Sequence, residues 1–173
     1  RYTTATSALG PTAGDCIACA AGRYGIGGDT GSQCTGACGV GRYSDAVTAA
    51  GPAATDCITC DVGRYGEAGS TTSQCTGGCA PGRFADPFTL AGPTADDCIA
   101  CAAGRYGGEG STSAQCSGDC ATGRFSDADT AAGPTAADCI ACALGRYVAT
   151  TGSVGPADCL ACNAGRYGEA GST

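Results

Sequence analysis

Large apolar side chains are spread thinly and evenly along this chain, too sparse to stripe a helix or fill a core of ordinary size. Apart from Tyr2 and Phe88, one aromatic residue arrives about every twenty positions, each after Gly-Arg: Gly22-Arg23-Tyr24, Gly41-Arg42-Tyr43, Gly63-Arg64-Tyr65, Gly82-Arg83-Phe84 and onward to Gly165-Arg166-Tyr167. A larger aliphatic, Ile17, Ile58, Ile99, Ile140 or Leu160, follows a cysteine elsewhere in the pattern. Ala, Gly, Ser and Thr fill most of the rest. Glycine or proline recurs every few residues and no stretch carries apolar residues at a 3.6-residue period, so helices are not expected. The Gly-Arg-aromatic segments read as short strands, and Gly25-Ile26-Gly27-Gly28-Asp29 and Gly107-Gly108-Glu109-Gly110 as turns. The expected element is a small irregular β-hairpin that buries one aromatic and one aliphatic, repeated along the chain.

The repeat has a fixed step. Cys16, Cys57, Cys98 and Cys139 stand 41 residues apart, and within each period the order is C-x2-C, fourteen residues, C-x3-C, eighteen residues. Residues 57–97 and 98–138 share 26 of 41 positions. Each period divides into two halves that open C-x2-G-R-[Y/F]. The short half runs Cys19–Cys34, Cys60–Cys75 and Cys101–Cys116 and ends in Gln-Cys; the long half runs Cys38–Cys57, Cys79–Cys98 and Cys120–Cys139, carries Ala-Gly-Pro and ends in Asp-Cys. Cys142–Cys159 breaks the alternation, with a long-type ending on a shortened loop. The organisation expected is the end of a preceding repeat over 1–15, repeats over 16–56, 57–97 and 98–138, an irregular half-repeat over 139–158, and the start of a further repeat over 159–173. On this reading the chain is a segment of a longer protein, and the fold a small disulfide-rich, mostly irregular one with short β-hairpins, an elongated solenoid-like rod of tandem half-units without helices.

Composition explains why the cysteines matter. Of 173 residues, 16 are cysteine and 31 glycine, there is no Trp or Met, and Phe84, Phe88 and Phe125 join seven tyrosines as the only aromatics. Two large side chains per half-unit cannot offset the entropy of ordering it, so the hairpins should not persist without covalent closure. Sequential pairing is the first choice: Cys19–Cys34, Cys38–Cys57, Cys60–Cys75, Cys79–Cys98, Cys101–Cys116, Cys120–Cys139 and Cys142–Cys159, with Cys16 and Cys162 paired outside the segment. Crossed pairing, Cys16–Cys34 with Cys19–Cys38 and so on, is the rival. The spacing also suits a four-thiolate zinc site. The lack of lysine, the acidic balance and the turn-rich composition weigh towards disulfides, and no metal or cofactor is expected.

Sixteen acidic residues against nine arginines, with no lysine or histidine, give a net charge of −7. Such a chain is a poor partner for nucleic acid or an anionic membrane, and no apolar run approaches the roughly 18 residues that span a bilayer. All nine arginines lie in the one motif, with Arg1-Tyr2 counted as the tail of a copy. A recognition stripe is one reading; a structural ladder, each arginine stem over an aromatic and each head against an acid such as Asp56, Asp97 or Asp138, is the favoured one. The aspartate before the cysteine (Asp15, Asp56, Asp97, Asp138, Asp158) could ligate calcium, but an Asx-turn or an arginine pair fits its setting better. Thirty-two Ser and Thr residues suggest O-linked glycans, with Thr3, Thr4, Ser70, Thr71, Thr72, Ser111, Thr112 and Ser113 the candidate sites. The lone asparagine, Asn163, is followed by Ala-Gly and encodes no N-linked site. Without a histidine base or a unique acid pair, and without a helix N-terminus to activate a Cys-x-x-Cys thiolate, no enzyme is expected.

Cys19, Gly22, Tyr24, Cys34, Cys38, Gly41, Tyr43, Asp56, Cys57 and Cys60 form a pattern that resembles the cysteine-rich repeats of tumour necrosis factor receptors. It is similar also to ephrin-receptor-type tandem repeats. The resemblance implies extracellular, disulfide-bonded, elongated modules with one paired-strand hairpin each, and a sequential staple in the short half. The near-identical copies point to a structural subunit of an extracellular filament or surface appendage, its partners copies of itself and its surface O-glycosylated. The alternative is a receptor or adhesin ectodomain whose repeats serve as a stalk with a ligand-binding role.

Overall fold

The structure, a computed structural model, describes residues 16–47, 50–86, 88, 91–130 and 132–173. Thr3, Thr4, Asp15 and the rest of 1–15 lie outside the described residues. The chain divides into two compact units, 1–77 with 87–97 and 78–86 with 98–173. The same element builds both.

Among the described residues there is no α-helix, only two-residue strands and three-residue 3-10 turns at Ala54–Asp56, Ala95–Asp97 and Pro156–Asp158. Seven of the Gly-Arg-aromatic motifs, from Gly22 to Gly145, each supply a strand, and the residues after the cysteine that closes the loop supply the partner. The pairs are β1 (Arg23–Tyr24) with β2 (Gly36–Ala37), β3 (Arg42–Tyr43) with β4 (Ile58–Thr59), β5 (Arg64–Tyr65) with β6 (Gly77–Gly78), and β7 (Arg83–Phe84) with β8 (Ile99–Ala100). They continue as β9 (Arg105–Tyr106) with β10 (Gly118–Asp119), β11 (Arg124–Phe125) with β12 (Ile140–Ala141), and β13 (Arg146–Tyr147) with β14 (Leu160–Ala161).

The motif's glycine sets the entry to each hairpin. The arginine N–H donates to the carbonyl three residues back, as in Arg42 to Gly39 O (3.1 Å) and Arg124 to Ala121 O (3.2 Å). The third residue of that turn is the glycine, whose φ is +70° at Gly41 and +76° at Gly123. A turn with positive φ at its third position takes glycine because a side chain there meets the backbone. This is the reason for the x-x-G-R spacing.

Register separates the two half-units. In short halves Tyr24 lies opposite Gly36 and Tyr106 opposite Gly118; in long halves Tyr43 faces Ile58, Phe84 faces Ile99 and Phe125 faces Ile140. The short-half ring rests on bare backbone, since a Cβ at Gly36 would stand 2.9 Å from Tyr24 Cε1. Short halves also close on a cysteine with positive φ, Cys34, Cys75 and Cys116 at 46–49°.

The interior differs from the sequence expectation. Ile17, Ile58, Ile99 and Ile140 remain 37–40 % exposed and Leu160 56 %, so the aliphatics are not what each half-unit buries. The cystines are: Cys38, Cys57, Cys79, Cys98, Cys120, Cys139, Cys142 and Cys159 are at most 2 % exposed. A two-residue hairpin has no second layer to cover its outer flank. The small space behind it is filled by the S–S bridge, with Phe125 against Cys142–Cys159 and Ala132 against Cys120–Cys139.

Candidate functional site

Seven disulfides join Cys19–Cys34, Cys38–Cys57, Cys60–Cys75, Cys79–Cys98, Cys101–Cys116, Cys120–Cys139 and Cys142–Cys159. The pattern is sequential, with Cys34 on Cys19 rather than on Cys16. Every half-unit from Cys19 to Cys159 therefore has its own closed loop, and Cys16 and Cys162 are bonded to no other cysteine among the described residues. The Asp29 carboxylate lies within 4.8 Å of the Cys19 and Cys34 sulfurs. Those sulfurs are bonded to each other, so they offer no thiolates to a metal. Seven cystines in a chain of this size belong to an oxidising compartment.

The arginine and the aspartate of each half-unit act on the backbone. In long halves the arginine Nη1 donates to the carbonyl of the closing cysteine: Arg42 to Cys57 O, Arg83 to Cys98 O and Arg124 to Cys139 O, all at 2.7 Å. Arg146 does the same to Cys159 O at 2.8 Å. In short halves Nε donates one residue earlier, from Arg23 to Gln33 O, Arg64 to Gln74 O and Arg105 to Gln115 O at 2.8–3.0 Å. The sequence placed these heads on Asp56, Asp97 and Asp138; the structure puts them on carbonyl oxygens instead, because the loop end presents an open acceptor at the reach of a guanidinium. Arg105 additionally pairs with Asp119.

The aspartates cap the 3-10 turns or bends before the closing cysteine. Asp56 Oδ2 accepts the Ala53 N–H, Asp97 Oδ2 the Thr94 N–H, Asp138 Oδ2 the Thr135 N–H and Asp158 Oδ2 the Val154 N–H, at 2.8–2.9 Å. These carboxylate oxygens are thus engaged locally, but they reach back three or four residues as in a capping box, not forward two as in the Asx-turn the sequence suggested. The Thr135 hydroxyl and amide hold the Asp138 carboxyl below its ordinary range, with the Arg124 charge adding to the effect. The glycine of Ala-Gly-Pro follows from the same cap: a Cβ at Gly92 would stand 2.4 Å from Asp97 Cβ, and one at Gly133 2.7 Å from Asp138 Cβ.

Within each compact unit, one repeated junction joins a half-unit to the next. The N–H of the motif glycine donates to the carbonyl of the residue after the next half-unit's aromatic: Gly22 to Ser44 O, Gly41 to Gly66 O, Gly82 to Gly107 O, Gly104 to Ser126 O, Gly123 to Val148 O and Gly145 to Gly168 O, at 2.7–2.9 Å. In return the cysteine opening the next half-unit donates to that glycine's carbonyl, as in Cys38 to Gly22 O, Cys120 to Gly104 O and Cys142 to Gly123 O at 2.8–2.9 Å. Ser44 and Ser126, 1–2 % exposed, add Oγ bonds to Arg23 O and Arg105 O. No family model matches this sequence, and no curated protein matches it. Function therefore rests on the junction's own chemistry.

The irregular half-unit keeps the junction intact. Long halves receive a bridge from a Gly-Ser pair of the following short half: Tyr43 with Ser70 and Phe84 with Ser111. In the irregular half Gly152-Ser153 takes that role, with Ser153 bridging Phe125 and the Gly152 N–H donating to Cys120 O at 3.0 Å. On its other side Tyr147 bridges Ser172, as a long half does. It thus presents a short-type face backwards and a long-type face forwards. The Gly-Ser dipeptide, shared with Gly69-Ser70 and Gly110-Ser111, is the sequence signal for this. Its shortened loop leaves a groove of about 580 Å³ lined by Tyr147, Val148, Thr150, Val154, Asp158 and Leu160.

The glycosylation candidates sort by what their hydroxyls do. Ser70 Oγ donates to Glu67 O and Ser111 Oγ to Gly108 O, closing the turns that carry the bridges. Thr71, Thr72, Thr112 and Ser113 are exposed on the same turns.

Proposed function

We propose that this chain is a structural subunit of an extracellular filament or surface appendage, making its contacts with other copies of itself. The observation that carries the reading is the junction, which recurs with the same backbone donors and acceptors at Gly22, Gly41, Gly82, Gly104, Gly123 and Gly145 while the residues around it vary. A surface that repeats at 41-residue intervals offers identical contacts to neighbouring subunits, as a helical polymer requires. The cystine content supports an extracellular setting, and so does the resemblance to receptor-type cysteine-rich repeats. O-linked glycans fit Thr71, Thr72, Thr112 and Ser113 better than Ser70 and Ser111, whose hydroxyls are tied into the turns.

Electron microscopy of native material tests the polymer: filaments whose density follows the half-unit repeat are expected. Dispersed monomers carrying a separate binding head would favour the receptor or adhesin stalk instead. Intact mass tests the glycans, and a native mass equal to the bare polypeptide would remove them from the account.

A further inference from the structure

The placement of the basic residues bears on how the chain meets proteases. Trypsin-like enzymes cleave after lysine or arginine, drawing the basic side chain into a pocket while the flanking backbone lies extended in the cleft. This chain has no lysine, and eight of its nine arginines sit in Gly-Arg-aromatic motifs, the ninth being Arg1 before Tyr2. Seven of them, Arg23, Arg42, Arg64, Arg83, Arg105, Arg124 and Arg146, have a guanidinium nitrogen bonded to a carbonyl across the loop. Each of these arginines and the aromatic after it also form a paired strand. Cleavage there requires the clasp and the hairpin to open together, while the cystine limits how far the strands separate.

A second level of protection comes from the cystines. All seven arginines lie inside closed loops: Arg23 between Cys19 and Cys34, Arg42 between Cys38 and Cys57, and so on to Arg146 between Cys142 and Cys159. The segments that connect one loop to the next contain no basic residue. Hydrolysis at any of the seven breaks the bond between the arginine carbonyl carbon and the next residue's nitrogen. Water supplies the hydroxyl to the carbon and the proton to the nitrogen, and the two ends stay joined through the disulfide.

We infer that the motif protects the chain from arginine-directed proteolysis twice: the clasped arginines resist nicking, and a nick that does occur fails to sever the chain. Arg166 is the internal comparison. It carries the same motif, but its side chain is exposed, it forms no strand, and Tyr167 is 90 % exposed.

Trypsin digestion of the oxidised chain, followed by mass spectrometry with and without reductant, tests both levels. Cleavage at the seven clasped arginines should be slower than at Arg166 by about a hundredfold, since opening precedes cutting. Cleavage at comparable rates would overturn the first level. A Thr71→Arg variant places an unclasped arginine on an exposed turn inside the Cys60–Cys75 loop. It should be nicked readily after residue 71, the nick adding one water in mass, and the two sides of that nick should part only on reduction. Parting at residue 71 without reductant would overturn the second level. A Thr71→Arg chain as resistant as its parent would assign the protection to the whole half-unit and overturn the role of the clasp.

Discussion

Replacing Gly104 by alanine should loosen one junction, and replacing Gly145 should not do so to the same degree. Both glycines have the same backbone, φ +78° and +74°, so an alanine at either meets the left-handed penalty of about 1–2 kcal/mol. They differ in what lies beyond. A Cβ at Gly104 would stand 2.2 Å from Gly152 O, two half-units further on, whereas a Cβ at Gly145 has nothing within 4 Å. In Gly104→Ala the Gly152 backbone must retreat by roughly 1 Å, an overpacking cost of about 1–3 kcal/mol on top of the shared penalty. Hydrogen exchange reads the difference. The Cys120 N–H donates to Gly104 O at 2.8 Å and the Cys162 N–H to Gly145 O at 2.9 Å, so each amide reports on its own glycine. Cys120 in Gly104→Ala should lose about 5–150-fold more protection than Cys162 in Gly145→Ala. Equal losses would refute the idea that the close approach of second-neighbour half-units matters.

Arg124→Lys removes the Nη1 bond to Cys139 O, and leaving that acceptor open should cost about 1–3 kcal/mol, read as a lower thermal midpoint; an unchanged midpoint would show the clasp to be idle. Removing the Cys120–Cys139 staple by a double Cys→Ala change frees a loop of 19 residues and should cost about 3 kcal/mol in chain entropy alone, with proteolysis between those positions as the readout. Asp138 supports its turn as the carboxylate, and its folded pKa lies below the unfolded one. Its contribution is therefore present above about pH 4 and lost as pH falls further through the folded value, so the Thr135 amide should exchange faster there. Asp138→Asn should abolish that pH dependence.

The hairpin was legible because its signals are local: x-x-G-R encodes a turn, and cysteine spacing bounds each loop. What lay beyond reading depended on contacts between half-units. Ile58, Ile99 and Ile140 look like core residues by type. Their exposure follows from a hairpin too small to have a second layer, with the cystine occupying the space behind it. The partner of Arg42, Arg83 and Arg124 was misplaced by one atom group: the neighbouring aspartate is used to cap its own turn, which leaves the cysteine carbonyl as the acceptor. The irregular half was read by its ending alone, while Gly152-Ser153 in its middle carried the information that it docks like a short half. The close approach of Gly22 to Gly69, where a Cβ added at Gly22 would stand 2.1 Å from the Gly69 oxygen, has no sequence signature, because it depends on how three half-units stack.

Scalar couplings across hydrogen bonds, measured by NMR on the oxidised chain, test the repeated junction most directly. The expected result is a coupling from the amide nitrogen of Gly41 to the carbonyl carbon of Gly66, and likewise for Gly82 to Gly107, Gly104 to Ser126, Gly123 to Val148 and Gly145 to Gly168. Couplings confined to the pairs within each hairpin, with these five missing, would mean that the half-units are separate stapled beads and would contradict the account.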